Sequence, residues 1–296
     1  MYHNPVLLNE VIDMLEIKEN GIYVDVTYGG GGHAKAILEK LKKGKLIAFD
    51  QDADAAKEMI NDQRLTFVPN NFRHLQRFLR LHQITEVDGI LADLGISSHQ
   101  IDTPERGFST RYDAALDMRM NADQKITAST IINEYTEQQL VNMFSEYGEI
   151  RNSKTLARQI VVSRKQESIS TTGELITAIE SCIIGFRHKY LAQVFQSIRI
   201  VVNDELGALK DLLTQTLEVL KPQGRVAIIS YHSLEDRLVK NFFKSGSFEG
   251  EVERDFYGNR KLPFTLITKK SIEPSEEEIK MNPRSRSARL RVAMKN

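Results

Sequence analysis

With 296 residues, 41% of them hydrophobic and 27% charged, the chain has an ordinary globular composition and can bury a core that needs no disulfide or metal. Its one cysteine, Cys182, excludes an intramolecular disulfide and any cysteine-rich zinc or iron–sulfur site, and fits a reducing compartment. Forty basic residues against forty acidic leave no net charge, so a nucleic-acid partner has to be read from local clusters. The first ten residues lack a basic segment followed by an apolar run, and no stretch approaches the ~20 apolar residues of a membrane span; both point to a cytoplasmic location.

The first hundred residues alternate strand and helix signals. Residues 22–27 (IYVDVT) read as a strand ending in four glycines, 34–41 as a helix, 45–50 (KLIAFD) as a second strand and 54–60 as helical. A third strand at 65–68, a helix at 72–81 and a fourth strand at 87–93 (VDGILAD) continue the alternation, which implies right-handed βαβ units and a parallel sheet. From 104 to 198 the signals are helical, with helices expected over 136–147, 153–164 and 172–184, and Thr136 and Thr172 as caps. Alternation then resumes: a helix over 202–220, a Lys-Pro-Gln-Gly turn at 221–224, a strand at 225–230 and a helix at 234–244. Two last strands, 264–268 and 288–293, are expected to pair antiparallel at a sheet edge, with a charged excursion at 271–280 between them. The reading is one doubly wound α/β domain, 1–104 with 199–296, split by a helical insert over 105–198.

The segment Asp25-Val-Thr-Tyr-Gly29-Gly-Gly31-Gly32-His33 lies where a strand turns into a helix. Glycines there let the backbone approach a ligand, and the helix start offers unpaired N–H groups. Asp50 closes the second strand, where a carboxylate can accept both hydroxyls of an adenosine ribose. By letter the loop also satisfies a dinucleotide fingerprint, and a glycine turn that merely packs helix on strand satisfies it too. Asp25, four residues before the first glycine, tilts the choice to S-adenosylmethionine, because an acid there suits an ammonium and repels a pyrophosphate. A polar loop, Asp93-Leu-Gly-Ile-Ser-Ser98, follows the fourth strand at the sheet edge where open α/β folds bind ligands.

Eight segments, VDVTYGGGGH, FDQD, ILADLGISSHQ, ERGFS, LDMRM, FQSIRIVVNDEL, SYHSLEDRLVK and NPRSRSARLRVA, resemble in order those of the ribosomal RNA small subunit methyltransferase H family over nearly the whole chain. The resemblance implies a class I (Rossmann-like) methyltransferase fold with an inserted all-helical domain. It also implies methyl transfer from S-adenosylmethionine to N4 of a cytidine in the decoding region of 16S rRNA, with the small ribosomal subunit as partner. Membrane and DNA partners are not expected, and neither is a metal. Carried over by position, the cofactor contacts are Gly31, Gly32, His33, Asp50, Phe72, Asp93 and Gln100, and the helical insert is the RNA-recognition part. Three places depart from the family pattern: His99, Tyr231 in place of a common phenylalanine, and Arg187-His-Lys-Tyr-Leu-Ala192.

The N4 amine is a poor nucleophile, and an acceptor for its N–H would help, so Asp93 is the catalytic candidate. Methylation at C5 needs a thiolate, and Cys182 sits in an apolar stretch, where packing is the plainer role. His33 reads either as a cap or as a neighbour of the cofactor. Ser233 with Asp236 reads as a capping pair or as groups facing the cleft, and Phe72 as core or cofactor contact. Arg151, Lys154, Arg158 and Lys165, and separately Arg284, Arg286, Arg289 and Arg291, form acid-free runs that suit either solvent or RNA. Arg106, Arg111 and Arg119 are candidates for gripping phosphates. A nicotinamide-dependent dehydrogenase and a non-catalytic assembly factor on the same scaffold are the competing readings.

Overall fold

The computed structural model describes residues 5–252 and 262–296. The chain divides into two compact units, Met1–Gly95 with Leu206–Asn296, and Ile96–Glu205. In chain order the first unit contributes α1 (Leu8–Leu15), β1 (Ile22–Asp25), α2 (Gly32–Lys40), β2 (Lys45–Phe49), β3 (Leu65–Val68), α3 (Leu75–Leu81) and β4 (Val87–Asp93). The second unit holds α4 (Ser98–Asp102), α5 (Ala128–Glu134), α6 (Glu137–Glu146), α7 (Ser153–Gln166), α8 (Thr172–Ile179) and α9 (Arg187–Asn203). The chain re-enters the first unit along α10 (Glu205–Val219), followed by β5 (Leu220–Ser230), α11 (Ser233–Ser245), β6 (Phe264–Leu266), α12 (Glu276–Met281) and β7 (Arg289–Lys295).

The strands form one sheet in the order β3-β2-β1-β4-β5-β7-β6. The first five run parallel, while β7 pairs antiparallel with both β5 and β6. Alternate residues of each central strand feed opposite cores, as a period of two requires. Val24, Ile47, Phe49, Ile90, Val226 and Ile228 pack with α3, α10 and α11. Tyr23, Leu46, Ala48, Leu91, Ala227 and Ile229 pack with α1 and α2. Helices therefore cover both faces, and the strands are apolar on both, which is why they read as near-continuous hydrophobic runs. This is a doubly wound, mostly parallel α/β architecture. Chain order reverses between β1 and β4, a switch point whose carboxyl edge is the place for a ligand.

The second unit is helical among the described residues, apart from one β-bridge between Ala115 and Thr171. Leu140, Phe144, Leu156, Ile160, Leu175, Val194 and Ile198 lie in its own core. Among the described residues no helix is long and apolar enough to cross a membrane.

Several local expectations are corrected. Residues 54–60 make only a 3-10 turn, Ala55–Glu58, and Phe72–His74 is a second such turn ahead of α3. The helix expected over 172–184 ends at Ile179 and passes into a 3-10 turn. That expected over 202–220 is split: α9 runs to Asn203, Asp204 adopts φ 47 and closes it, and α10 begins anew at Glu205. The turn at 221–224 is a bulge inside a strand, since Val87 pairs with Leu220 and Gly89 with Arg225. Helices α1 and α12 were not anticipated.

Candidate active site

Three strand ends of the first unit meet at the carboxyl edge. After β1, Val26 N–H still donates to Leu91 O (2.9 Å) and Tyr28 N–H to Phe49 O (2.8 Å), so the chain stays pinned between β2 and β4 until the glycines. Gly31 then caps α2 at φ 74, a left-handed conformation, and a Cβ there would lie 2.6 Å from the Tyr28 hydroxyl. Both facts call for glycine. Gly32 opens α2 against Pro5, leaving the loop backbone as the helix N-terminus.

Asp50, at the end of β2, ties this loop down. Its Oδ2 accepts from Gly29 N–H (2.8 Å) and its Oδ1 from Asp52 N–H (2.8 Å). Burial pushes its pKa above the ordinary carboxylate range in spite of those donors.

Asp93, the last residue of β4, is fixed from two sides. Its backbone N–H donates to Thr27 Oγ1 (2.6 Å), and its Oδ1 accepts from the Tyr231 hydroxyl (2.7 Å). Its Oδ2 lies 3.8 Å from Nδ1 of His33, whose side chain is almost fully buried. His33 Nε2 is 3.0 Å from the Val6 carbonyl; serving that acceptor places the ring proton on Nε2 and turns the Nδ1 lone pair to Asp93. Burial lowers the imidazole pKa and raises that of Asp93 to about 7, with Glu235 and Glu278 adding to the rise and the Tyr231 hydrogen bond opposing it.

Asp25, the last residue of β1, interacts electrostatically with both groups. It is 1% exposed, its Oδ1 accepts from Thr27 N–H (3.1 Å), and its Oδ2 is buried with no hydrogen-bond partner. Desolvation raises its pKa to about 6, with His33 opposing and Asp93 and Asp50 reinforcing the rise.

Of the residues singled out by sequence, Gly31, Gly32, His33, Asp50 and Asp93 lie at this edge. Phe72 starts the 3-10 turn after β3 and is half-buried against the core of α3 and α10. Gln100 belongs to the second unit, where it is buried and forms a capping box with Ser97: its Oε1 accepts from Ser97 N–H (3.0 Å), and its own N–H donates to Ser97 Oγ (3.2 Å). The capping pair Ser233–Asp236 is corrected. His232 is the N-cap of α11, and Glu235 accepts from the backbone N–H of Tyr231 (2.9 Å) and His232 (3.3 Å). The cap of α8 is Thr171, not Thr172.

The basic candidates sort by partner. Arg106 donates to the carbonyls of Arg119 and Met120, Arg119 pairs with Asp117 (2.7 Å) and Arg111 with Asp102 (3.0 Å), so all three brace their own loop. Arg291 pairs with Asp236 and Arg289 with Glu273. Arg151, Lys154, Arg158 and Lys165 are exposed on or just before α7. Cys182 is buried with a raised pKa, in keeping with packing.

Sequence reasoning missed Tyr231 and Thr27 as partners of Asp93. Tyr231 was visible as a departure from a family pattern, but nothing in the sequence joins the end of β5 to the end of β4.

Comparison with known proteins gives the family. The profile of the MraW methylase family matches residues 1–296. A protein of Flavobacterium johnsoniae named ribosomal RNA small subunit methyltransferase H is 57% identical over 99% of this chain and 98% of that protein. Proteins of the same name from Cytophaga hutchinsonii and Bacteroides thetaiotaomicron are 56% and 53% identical, over 99% of this chain and 99% and 97% of their own lengths. Among solved structures, an rRNA methylase from Streptococcus thermophilus aligns over 99% of both chains at 14% identity, with a TM-score of 0.42. Matched from end to end by the family profile, and by relatives more than half identical, the chain belongs to the MraW methylase family.

Proposed function

We propose that this chain methylates N4 of a cytidine in the decoding region of small-subunit rRNA, using S-adenosylmethionine; the name shared by its relatives supports small-subunit rRNA methylation, and the cytidine and its N4 rest on the resemblance of its motifs. The observation that carries the reading is Asp93, a half-buried carboxylate that accepts from the Tyr231 hydroxyl and faces His33 across 3.8 Å beside the glycine loop.

The residues fit the cofactor. The orphaned, buried Oδ2 of Asp25 is an acceptor suited to an ammonium group, and would repel a pyrophosphate. Gly31 and Gly32 would offer backbone, His33 a packed wall, and Asp50 a ribose partner; Phe72 and Gln100 join the set on the resemblance alone. When bound, S-adenosylmethionine supplies an electrophilic methyl group on a sulfonium.

The protein's part is to position the amine and manage its proton. The Asp93 carboxylate would accept an N4–H hydrogen bond, localising the nitrogen lone pair for in-line attack, and take the proton as the N–C bond forms. A pKa near 7 suits a base working near neutral pH. Tyr231 orients the carboxylate, and Thr27 anchors the Asp93 backbone behind it. The first unit is the catalytic part in this reading, and the second the RNA-recognition part. A cytoplasmic location and engagement of the assembled small subunit belong to the same proposal.

The test is incubation of the protein with methyl-labelled S-adenosylmethionine and small subunits that lack the modification, followed by mass spectrometry of the nucleosides. Label in N4-methylated cytidine is expected. Label on C5 or on a sugar would overturn the chemical assignment, and no binding of S-adenosylmethionine would overturn the whole reading.

A further inference from the structure

The first unit carries an open groove of about 510 Å³ along α11 and the segment leading into β7. Its lining is basic: Arg237 and Lys240 from α11 face Arg286 and Arg289. Asp236 is the one acid in the lining, and Arg291 holds it with bonds of 2.7 and 3.0 Å. Lys240 and Arg286 are exposed and have no carboxylate partner among the described residues. At one end lies Tyr231, whose hydroxyl meets Asp93.

We propose that this groove is a phosphodiester-binding track, which holds the RNA strand on one side of the target nucleotide while the base reaches Asp93. The inference rests on the rRNA reading given above, and it assigns strand binding to the catalytic unit itself. In a chain with no net charge, a groove with four cationic side chains in its lining, of which Arg289 pairs with Glu273 while Lys240 and Arg286 have no carboxylate partner among the described residues, is a local field, and single-stranded RNA answers it with one negative charge per nucleotide. The lining has no aliphatic side chain, so the occupant is held by charge and hydrogen bonds. A protein partner would want an apolar anchor at the centre of its interface. The lining's rings, those of Tyr231 and His232, adjoin in sequence, and Tyr231 marks the Asp93 end, where a base lifted out of its stack would need an aromatic surface.

The test compares the wild type with the Lys240→Glu/Arg286→Glu double variant, by fluorescence anisotropy of a single-stranded RNA oligonucleotide over a series of KCl concentrations. The double variant is expected to bind at least about ten-fold more weakly. Its plot of log affinity against log salt should be shallower by about 1.4, from two lost contacts at about 0.7 each. Calorimetry with S-adenosylmethionine checks the fold; if the reversal disturbs it, Lys240→Gln/Arg286→Gln should show the same change of slope. Unchanged affinity and slope would overturn the proposal, and so would polyglutamate displacing the RNA at equal charge concentration. Methylation of small subunits by the wild type is measured alongside. Loss of RNA binding in the variant, with no methylation by the wild type, leaves the groove standing and sinks the rRNA reading. Normal methylation by the double variant with an unchanged KM does the reverse.

Discussion

The Tyr231 hydroxyl donates a 2.7 Å hydrogen bond to Asp93 Oδ1, linking the residue after β5 to the last residue of β4. A donor aimed at a carboxylate favours its ionised form, so this bond restrains the rise that burial imposes on Asp93. Tyr231→Phe removes the donor and keeps the ring. With Asp93 working as a carboxylate, the acid limb of the kcat/KM profile should then move to higher pH. A hydrogen bond to a charged group contributes about 1.5–3 kcal/mol, or about one to two pH units. Activity at pH 7 should fall while activity near pH 9 recovers. An acid limb that stays in place would mean the tyrosine only packs.

Asp93→Asn tests the base itself. Asparagine keeps the shape and an acceptor for Tyr231, but cannot take a proton. The expected outcome is a fall in kcat of about 10²-fold or more, with the acid limb near pH 7 abolished. Rapid-quench measurement of single turnovers separates this from slow product release. A variant with wild-type single-turnover rate would remove Asp93 from the chemistry.

The architecture was legible because its physics is local. Strands β2, β4 and β5 are short apolar runs fed into both cores, and the helices between them carry one apolar stripe at helical spacing, so run length and spacing together separate them. Caps were misjudged by one residue where two candidates adjoin. Thr171 is chosen over Thr172 because Glu174 stands at the third helical position and can reach back, whereas Thr172 would meet Leu175 there. At α11 the same rule selects His232 with Glu235, and Asp236 is already committed to Arg291. Those corrections were within reach of the sequence. The break at Asp204 was not, since a non-glycine left-handed residue leaves no compositional mark. Neither was the Tyr231–Asp93 bond, which joins residues 138 apart and exists only because β5 lies beside β4.

Asp50 should govern cofactor affinity. It holds Gly29 and Asp52 through separate oxygens, so Asp50→Asn leaves one acceptor in place and replaces the other with a donor facing an N–H. Two donors set against each other displace the loop as well as removing the ribose partner. Calorimetric titration with S-adenosylmethionine should show affinity at least about ten-fold weaker, a loss of about 1.4 kcal/mol or more. Unaltered affinity would place the ribose elsewhere.

Gly31→Ala tests the loop without touching charge. At φ 74 a side chain is strained, and the new Cβ would lie 2.6 Å from the Tyr28 hydroxyl. The strain alone is about 1–3 kcal/mol, so a lower melting temperature is expected together with weakened cofactor binding. A melting temperature equal to the wild type's would show that the loop relaxes freely.

Asp25 sets a pH dependence of stability whose sign follows from its burial. Its folded-state pKa is raised from 3.8 to about 6, so between those values the folded protein binds more protons than the unfolded chain. Stability from this group therefore falls as pH rises through that window, and the deficit persists above it. Asp25→Asn cannot ionise and escapes the deficit. The variant's stability relative to wild type should be greater at pH 8 than at pH 4.5, by on the order of 2 kcal/mol. Any fixed cost of burying the amide cancels in that difference, and Asp93 titrates in both proteins. Urea denaturation at the two pH values gives the comparison directly. The same variant should bind S-adenosylmethionine more weakly, because it has lost the partner for the ammonium. A protein both more stable at pH 8 and poorer at binding would identify Asp25 as a buried charge kept for its ligand; equal differences at the two pH values would show that burial does not raise its pKa above that of the unfolded chain.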